Sequence, residues 1–328
     1  MFELGRRYSE LKRPEDAERC FRLCLKASPD KQIYEAVAAS YKTAGNMDKW
    51  KETLDAFLKD GEDNGLDRGQ VSATIARYFM DQKKDFKAAL PYAKGAAGTG
   101  AAWGMECLSD CYEGMGEWDK SHDLMRSIVN RYPESVPYWF YWCKRNGRGD
   151  LAAAEKLVVE RFVDLGDRLD TKDLLHVAAY YLLTDQPQKA TDVLAKFVKR
   201  SPTESKILIL ATLYDDLGQT KERDAALQNW PTKSDTPYLR IAKLFAECLA
   251  KGEKGELDLD AVDAAIKRIP DNLVADVCYA VSHFLEKRGK SDAATKYLVR
   301  AAIGGERRAS VSRSVASYEA RKRGLNLE

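Results

Sequence analysis

The sequence has few of the residues that carry catalytic chemistry. It contains only three histidines in 328 residues, and His122, His176 and His283 stand in no recognisable catalytic motif. The glycine-rich segment 95–104 superficially suggests a phosphate-binding loop, but it lacks the Lys-Ser/Thr ending and no predicted strand precedes it. We therefore predict that the chain is not an enzyme and has no cofactor.

An excess of charge and a long apolar run are also missing. Lys and Arg number 53 against 51 for Asp and Glu, so the formal net charge of +2 gives no electrostatic footprint for nucleic acid or an anionic membrane. No apolar run approaches the roughly 20 residues that span a bilayer, and the first residues lack the apolar segment of a secretory signal. These observations predict a cytoplasmic protein without a membrane or nucleic-acid partner.

The seven cysteines form an odd set without a secretory context, so reduced thiols are expected. Cys20 with Cys24, and Cys107 with Cys111, lie one helical turn apart, a spacing that could place two thiols on one metal. Structural zinc sites normally need four ligands, and neither pair has a second pair nearby in sequence. No metal site is predicted.

What the chain does have is an internal repeat. A small residue with a larger apolar residue four positions later recurs along the chain. The small residues are Ala88, Ser121, Ala154 and Ala190, separated by intervals of 33, 33 and 36 residues. A period of this length is typical of stacked helical pairs, each of which buries its apolar face only against its neighbours. With 45% hydrophobic residues, the chain can bury a large surface, which argues against disorder.

The first repeat carries the fullest set of characteristic residues. Small residues are expected where two helices cross closely, aromatic residues between one helix pair and the next, and proline where the second helix ends. The repeat shows, in order, Leu4-Gly5, Tyr8, Ala17, Phe21 and Pro29. This spacing resembles the signature of the tetratricopeptide repeat family, and the resemblance extends over roughly residues 1–302.

The resemblance implies an all-α fold, a right-handed superhelical solenoid of stacked antiparallel helix pairs with about nine tetratricopeptide-like units. We expect residues 1–303 to form this solenoid and residues 304–328 to form a polar, basic capping helix and tail, because solenoids need a polar end. No preferred capping residue precedes the first helix at Phe2. We therefore hypothesise that the chain is part of a longer protein.

In this family the first helix of each pair lines a concave surface, and helical spacing selects the residues on its open stripe. An acidic segment followed by an apolar floor predicts a peptide ligand with a basic end and hydrophobic anchors. The alternative is a mixed, solvated groove without a dedicated ligand. The predicted groove residues are Glu106, Asp110, Glu113, Trp139, Leu175, Ala179, Leu182, Leu208, Leu239 and Tyr279.

Five consecutive aromatic residues, 138–142, point in all directions around one predicted helix. Tyr141 and Trp142 are expected to pack between helices, which leaves Trp139 to reach the groove as an interface anchor. The alternative is that all five fill a wide gap between repeats.

The family mostly mediates protein–protein contacts, so the resemblance implies a non-enzymatic scaffold that binds a peptide or partner protein on its concave face. Two alternatives stay open: an RNA-binding helical repeat of the pentatricopeptide type, and the regulatory segment of a larger enzyme. The near-neutral charge and the absence of a polar code in the first helices argue against RNA. The asparagines fall in turns, loops or tails, so the clamp by which one subclass holds C-terminal carboxylates is not predicted.

Overall fold

A computed structural model describes residues 1–11, 13–60, 65–228, 230–231, 234–252, 255–303, 311–325 and 327. Within these ranges the regular elements are all helices, so the predicted all-α fold is confirmed. Nine helix pairs and one further helix follow each other along the described chain, as the repeats predicted. The chain divides into two compact units, Met1–Ser135 (the N-terminal unit) and Val136–Glu328 (the C-terminal unit).

The N-terminal unit contains four helix pairs. Its helices are α1 (Phe2–Glu10), α2 (Pro14–Ala27), α3 (Lys31–Thr43), α4 (Met47–Asp60), α5 (Leu66–Tyr78), α6 (Phe86–Ala97), α7 (Ala102–Gly114) and α8 (Trp118–Arg131). A π-helical turn, Phe79–Lys83, continues α5, and a 3-10 turn, Pro133–Ser135, follows α8. The two helices of each pair pack against each other, and each pair packs against the next.

Local sequence signals explain where these helices begin. Asp30 accepts a hydrogen bond from the backbone N–H of Ile33 at 3.0 Å, and Asp85 does the same for Ala88 at 2.9 Å. Such caps satisfy N–H groups that have no partner inside the helix. Pro14 occupies the first turn of α2, where a missing N–H costs nothing.

Small residues stand where helices cross closely, as predicted for the first repeat. Gly5 is buried in α1, and a Cβ at this position would lie 2.6 Å from Cε1 of Phe21 in α2. Aromatic residues fill the space between pairs, since Trp50 of α4 packs against Tyr78 of α5 with ring centroids 4.8 Å apart. This packing explains why the spaced Gly, Ala and aromatic residues recur in the sequence.

The C-terminal unit contains five helix pairs and the last helix. Its helices are α9 (Val136–Asn146), α10 (Leu151–Arg161), α11 (Thr171–Leu183), α12 (Pro187–Arg200), α13 (Glu204–Asp216), α14 (Thr220–Gln228), α15 (Pro237–Ala250), α16 (Leu259–Ile266), α17 (Asp271–Glu286), α18 (Ser291–Ile303) and α19 (Val311–Lys322). A 3-10 segment, Val163–Arg168, follows α10.

The first helix of the last pair, α17, packs directly along α13, the first helix of a pair two repeats earlier. Ser205 and Lys206 near the start of α13 both bond to Asp276 near the start of α17. At the other end, Arg288 donates to Asp215 at 2.9 Å. The two helices therefore run in the same direction, held by largely buried polar pairs at both ends.

The last helix, α19, packs against α9, α11 and α17 as well as against its predecessor α18. A cap at the end of a linear solenoid contacts only the neighbouring repeat. Here α19 instead contacts the first helices of three different pairs and joins the two ends of the C-terminal unit. Residues 304–310 of the predicted capping segment lie outside the described residues.

Candidate interaction surfaces

The predicted acidic segment lies on α7, but its carboxylates are not freely exposed. The Asp110 carboxylate accepts a hydrogen bond from Arg77 of α5 at 2.6 Å. Glu106 and Glu113 are buried, and each interacts with other groups of the chain. The helices α5, α6 and α8 pack around α7, so they cover part of the stripe that was expected to be open.

The aromatic run lies on α9, and most of it is buried. Trp139 is only 5% exposed, whereas Tyr138 is half-buried. The hydroxyl of Tyr141 lies 3.1 Å from Nδ1 of His176 on α11, and burial raises the pKa of Tyr141 well above its usual value. This burial favours packing as the role of the run, and a ligand reaches Trp139 only if a neighbouring element moves.

The remaining predicted groove residues divide into two groups. Leu175, Leu182 and Leu239 are half-buried and keep part of their surface accessible. Ala179, Leu208 and Tyr279 are buried. These six residues therefore lie on first helices of the C-terminal unit, but three of them are covered by neighbouring elements.

The last helix, α19, covers part of this surface. The hydroxyl of Tyr279 on α17 donates a hydrogen bond to Oε1 of Glu319 on α19 at 2.9 Å. Nε2 of His283, one turn further along α17, lies 3.3 Å from Oε2 of the same carboxylate. Nδ1 of His283 lies 2.6 Å from Oδ2 of Asp216 on α13. A carboxylate of α19 is thus held by two side chains of a first helix, one of them the predicted groove residue Tyr279.

The imidazole of His283 is charged because it lies between two carboxylates. Burial alone would lower the pKa of His283, but the hydrogen bonds to Asp216 and Glu319 raise it to about 10. The pKa of Glu319 is lowered in turn: burial opposes this shift, and the bonds from His283 and Tyr279 outweigh it. At neutral pH the contact is therefore an ion pair.

Three consecutive basic residues at the end of α19, Arg321, Lys322 and Arg323 (the basic triplet), each bind near the C-terminal end of a different first helix. Arg321 bonds to Asn146 and, at 3.3 Å, to the backbone carbonyl of Arg145 at the end of α9. The other two pair with Asp185 after α11 and Glu286 at the end of α17, at 3.1 Å each. Cations are favoured at helix C-termini because the last carbonyl groups there lack helical partners.

The inner half of α19 is enclosed on all sides. Residues 312–317 are all buried, and Val315 is the largest apolar side chain among them. Nε of Arg313 and Oγ of Ser317 both donate to the carbonyl of Ala302 in the last turn of α18, at 3.1 Å each. We call the surface of α9, α11, α17 and α18 that holds this helix the α19 groove. The sequence showed a basic end, but it did not show where that end binds.

The N-terminal unit has an open cavity of about 750 Å³ between α1 and α3, the first helices of its first two pairs. The floor consists of small and aromatic side chains, and the rim is polar. The lining residues from α1 and α3 include Phe2, Arg6, Ser9, Ala36, Ala39 and Ser40, and Ala17 and Phe21 of α2 lie beneath them. Ala39 is exposed, so this part of the surface is open to a ligand.

In the part of the chain that the structure describes, the cysteines do not form a reactive thiol site. All seven thiols are free and six are buried; burial raises the pKa of Cys107 to about 11 and that of Cys278 to about 12. Among the described residues, no group of three or more His, Cys, Asp or Glu side chains is placed to hold a metal ion. In the same part of the chain, no helix has the length and apolar character needed to cross a membrane.

Comparison with known proteins identifies the repeats. Residues 1–31 and 108–135 each match a model of the tetratricopeptide repeat. A crystal structure of a tetratricopeptide repeat protein from Parabacteroides merdae is similar, with 12% identity, coverage of 88% of this chain and 98% of that chain, and a TM-score of 0.45. None of the curated protein sequences matches the chain.

The chain is thus a helical repeat protein with tetratricopeptide-like repeats at residues 1–31 and 108–135, as the first repeat predicted. The two matched segments coincide with α1 and α2, and with the second half of α7 together with α8. Repeats of this type indicate a protein-interaction scaffold in general.

Proposed function

We propose that the protein is a non-enzymatic scaffold that binds a peptide segment of a partner protein on its first-helix surface, with one binding position at the cavity between α1 and α3. The observation that carries this proposal is the open cavity of about 750 Å³ between the matched first repeat and the α3 helix that follows it. Its volume suits a few side chains rather than a whole folded domain.

The side chains that line the cavity indicate which kind of peptide it binds. Phe2, Ala17 and Phe21 provide an apolar floor, which favours a peptide with an apolar or aromatic anchor. Arg6 and Ser9 on the rim offer donors to the backbone of such a peptide. The smaller Ala36 and Ala39 let the ligand backbone approach α3 closely.

The test is a selection of peptides that bind the intact chain, followed by affinity measurement on two matched variants. Ala39→Trp fills the open face of the cavity, and Ala225→Trp places the same side chain at an exposed position of α14 in the C-terminal unit. We expect the selected peptides to share an apolar anchor. Their affinity, measured by fluorescence anisotropy, should fall at least about tenfold for Ala39→Trp only, a loss of about 1.4 kcal/mol.

Equal affinity for both variants contradicts the position of the site. Failure to select any peptide, together with binding of single-stranded RNA at low salt, contradicts the scaffold function and favours the RNA-binding alternative.

A further inference from the structure

In the α19 groove, the chain already holds a helix against the first helices of its own C-terminal unit. We propose that the α19 groove is a docking site for a partner's α-helix of the same chemistry as α19, and that α19 is its exchangeable intramolecular occupant. The partner's helix would carry a run of small residues, then a glutamate, and then a basic triplet that begins two residues after it. This inference rests on the scaffold function but not on the cavity of the N-terminal unit.

The geometry of α19 is that of a helix inserted into a groove. Its inner half, residues 312–317, is enclosed, and its polar end lies at the rim where α9, α11 and α17 end. Helices that dock in this way are recognised by the side chains at successive turns. Ser314, Ala316 and Ala320 are small enough to let the surrounding helices approach closely, and Ala316 and Ala320 are completely buried.

The positions of the polar anchors define what the groove recognises. Glu319 lies between Tyr279 and His283, at 2.9 and 3.3 Å. The basic triplet begins two residues later, and each of its members reaches a different first helix. A helix with the acidic and basic positions exchanged would place a carboxylate beside Asp185 or Glu286, so the groove selects both the chemistry and the direction of its occupant.

Several features make α19 suited to exchange. Val315 is the largest apolar side chain among its described buried residues, whereas the preceding helix α18 buries Tyr297 and Leu298. Release of α19 therefore exposes few large apolar side chains of this helix itself. Two of its anchoring ion pairs are partly exposed, with side-chain exposures of 56% and 70% for Lys322 and Asp185, and 37% and 41% for Arg323 and Glu286. Such pairs contribute little and are screened by salt.

The first experiment uses the unmodified full chain and hydrogen exchange with mass spectrometry. We expect the amides of α19 to exchange at least about tenfold faster than those of α17 and α18, because α19 leaves the groove while the rest of the unit stays folded. Raising the salt concentration should increase exchange in α19 selectively. Equal protection in the three helices would show that α19 is a permanent part of the fold and would overturn the proposal.

The second experiment adds a fluorescein-labelled peptide of residues 311–325 to the full chain and measures anisotropy. The variant Arg321→Ala/Lys322→Ala/Arg323→Ala weakens α19 in the chain, so the groove is vacant more often and the apparent affinity for the peptide rises. We expect at least about tenfold tighter binding by this variant than by the wild type. The control, Lys189→Ala/Lys196→Ala/Lys199→Ala on α12, removes the same charge and should leave the affinity unchanged.

A peptide in which the basic triplet is replaced by alanine should bind the α19 variant more weakly than the wild-type peptide does, because three weak ion pairs are lost together. The proposal is overturned if the wild-type peptide has the same affinity for the wild type, the control and the α19 variant, or binds none of them. Circular dichroism checks that each variant is folded; if the α19 variant is not, hydrogen exchange of the wild type alone decides. Loss of peptide selection at the N-terminal cavity, with these results intact, would contradict only that cavity as a binding position.

Discussion

The guanidinium of Arg77 on α5 donates a hydrogen bond to Oδ2 of Asp110 on α7 at 2.6 Å. The contact joins the first helices of two successive repeats, and both side chains are largely buried. Burial lowers the pKa of Arg77, but the charge of Asp110 outweighs this effect and raises it. The central carboxylate of the predicted acidic segment thus serves packing between repeats.

Removal of Arg77 tests this role. We expect Arg77→Met to lower the free energy of unfolding by about 2 kcal/mol, because Asp110 then loses its guanidinium partner in a largely buried site. The double variant Arg77→Met/Asp110→Asn should lose less than the sum of the two single variants. Urea unfolding of all four proteins gives the coupling energy, and strictly additive losses would contradict the contact.

The buried hydroxyls of Ser109 and Ser121 bind each other at the crossing of α7 and α8. Their Oγ atoms lie 2.9 Å apart, and each Oγ lies within hydrogen-bond distance of the other residue's backbone carbonyl oxygen, at 3.2 and 3.0 Å; each hydroxyl donates one of these bonds at a time. We expect Ser121→Ala to cost about 1 kcal/mol, whereas the double change to alanine should cost less than twice that, because alanine fits such a crossing without a polar group. Chemical denaturation measures both, and a double variant that loses the full sum would exclude this explanation.

The imidazole of His176 is held neutral inside the C-terminal unit. Burial, with a smaller effect of Lys172, lowers its pKa to about 4, and the Tyr141 hydroxyl lies 3.1 Å from Nδ1. The unfolded chain takes up a proton near pH 6.5 but the folded chain does not, so the free energy of unfolding should fall as the pH drops from about 6.5 to about 4. The loss is on the order of 3 kcal/mol. His176→Gln should flatten this part of the profile in denaturation at several pH values; an unchanged slope would contradict the low pKa.

His283, which is also largely enclosed, has the opposite pH dependence. Its pKa is raised to about 10, so its contribution is fully present below about pH 6.5 and is lost as the pH rises towards 10. The groups that face it are the carboxylates of Asp216 and Glu319 and the ring of Tyr279, and Arg323 acts on Glu319 and Tyr279. We expect His283→Gln to destabilise the chain at pH 7 and to remove this alkaline decline, when its unfolding profile is compared with that of the wild type. A parallel decline in both proteins would assign the effect to other groups.

A methyl group at Gly104 would disturb the contact of α7 with α6. A Cβ there would lie 2.2 Å from the backbone carbonyl oxygen of Ala96, so the two helices would have to separate. We expect Gly104→Ala to lower the free energy of unfolding by about 3 kcal/mol, although alanine alone favours a helix by about 1 kcal/mol. Gly98→Ala is the control, because a Cβ there meets its nearest atom at 3.3 Å. Thermal unfolding compares them; equal melting temperatures would show that the helices adapt.

Local and near-neighbour features of this fold could be predicted from the sequence. Gly5 and Phe21 lie in one repeat, and their contact follows from the spacing of small and aromatic residues. Ser109 and Ser121 likewise stand at two small positions of one helix pair. A repeat protein is stabilised mainly by contacts within and between adjacent pairs, so a pattern with a period near 34 residues specifies most of its helices.

The candidate groove could be predicted only in part, because a helical stripe does not show what covers it. Trp139 and Glu106 fall on first helices as expected, but neighbouring elements bury both. Helical spacing selects a face of one helix, whereas burial depends on how closely several helices pack around it.

The sequence by itself determined the helical pairs, their order and the crossings within each pair, because these depend on residues that are close along the chain. Only the tertiary structure decided the place of α19. Arg321 meets Asn146 at a separation of 175 residues, and Lys322 meets Asp185 at 137. No local pattern records contacts of this range: they exist because α13 and α17 pack side by side and bring the ends of α9, α11 and α17 around one helix.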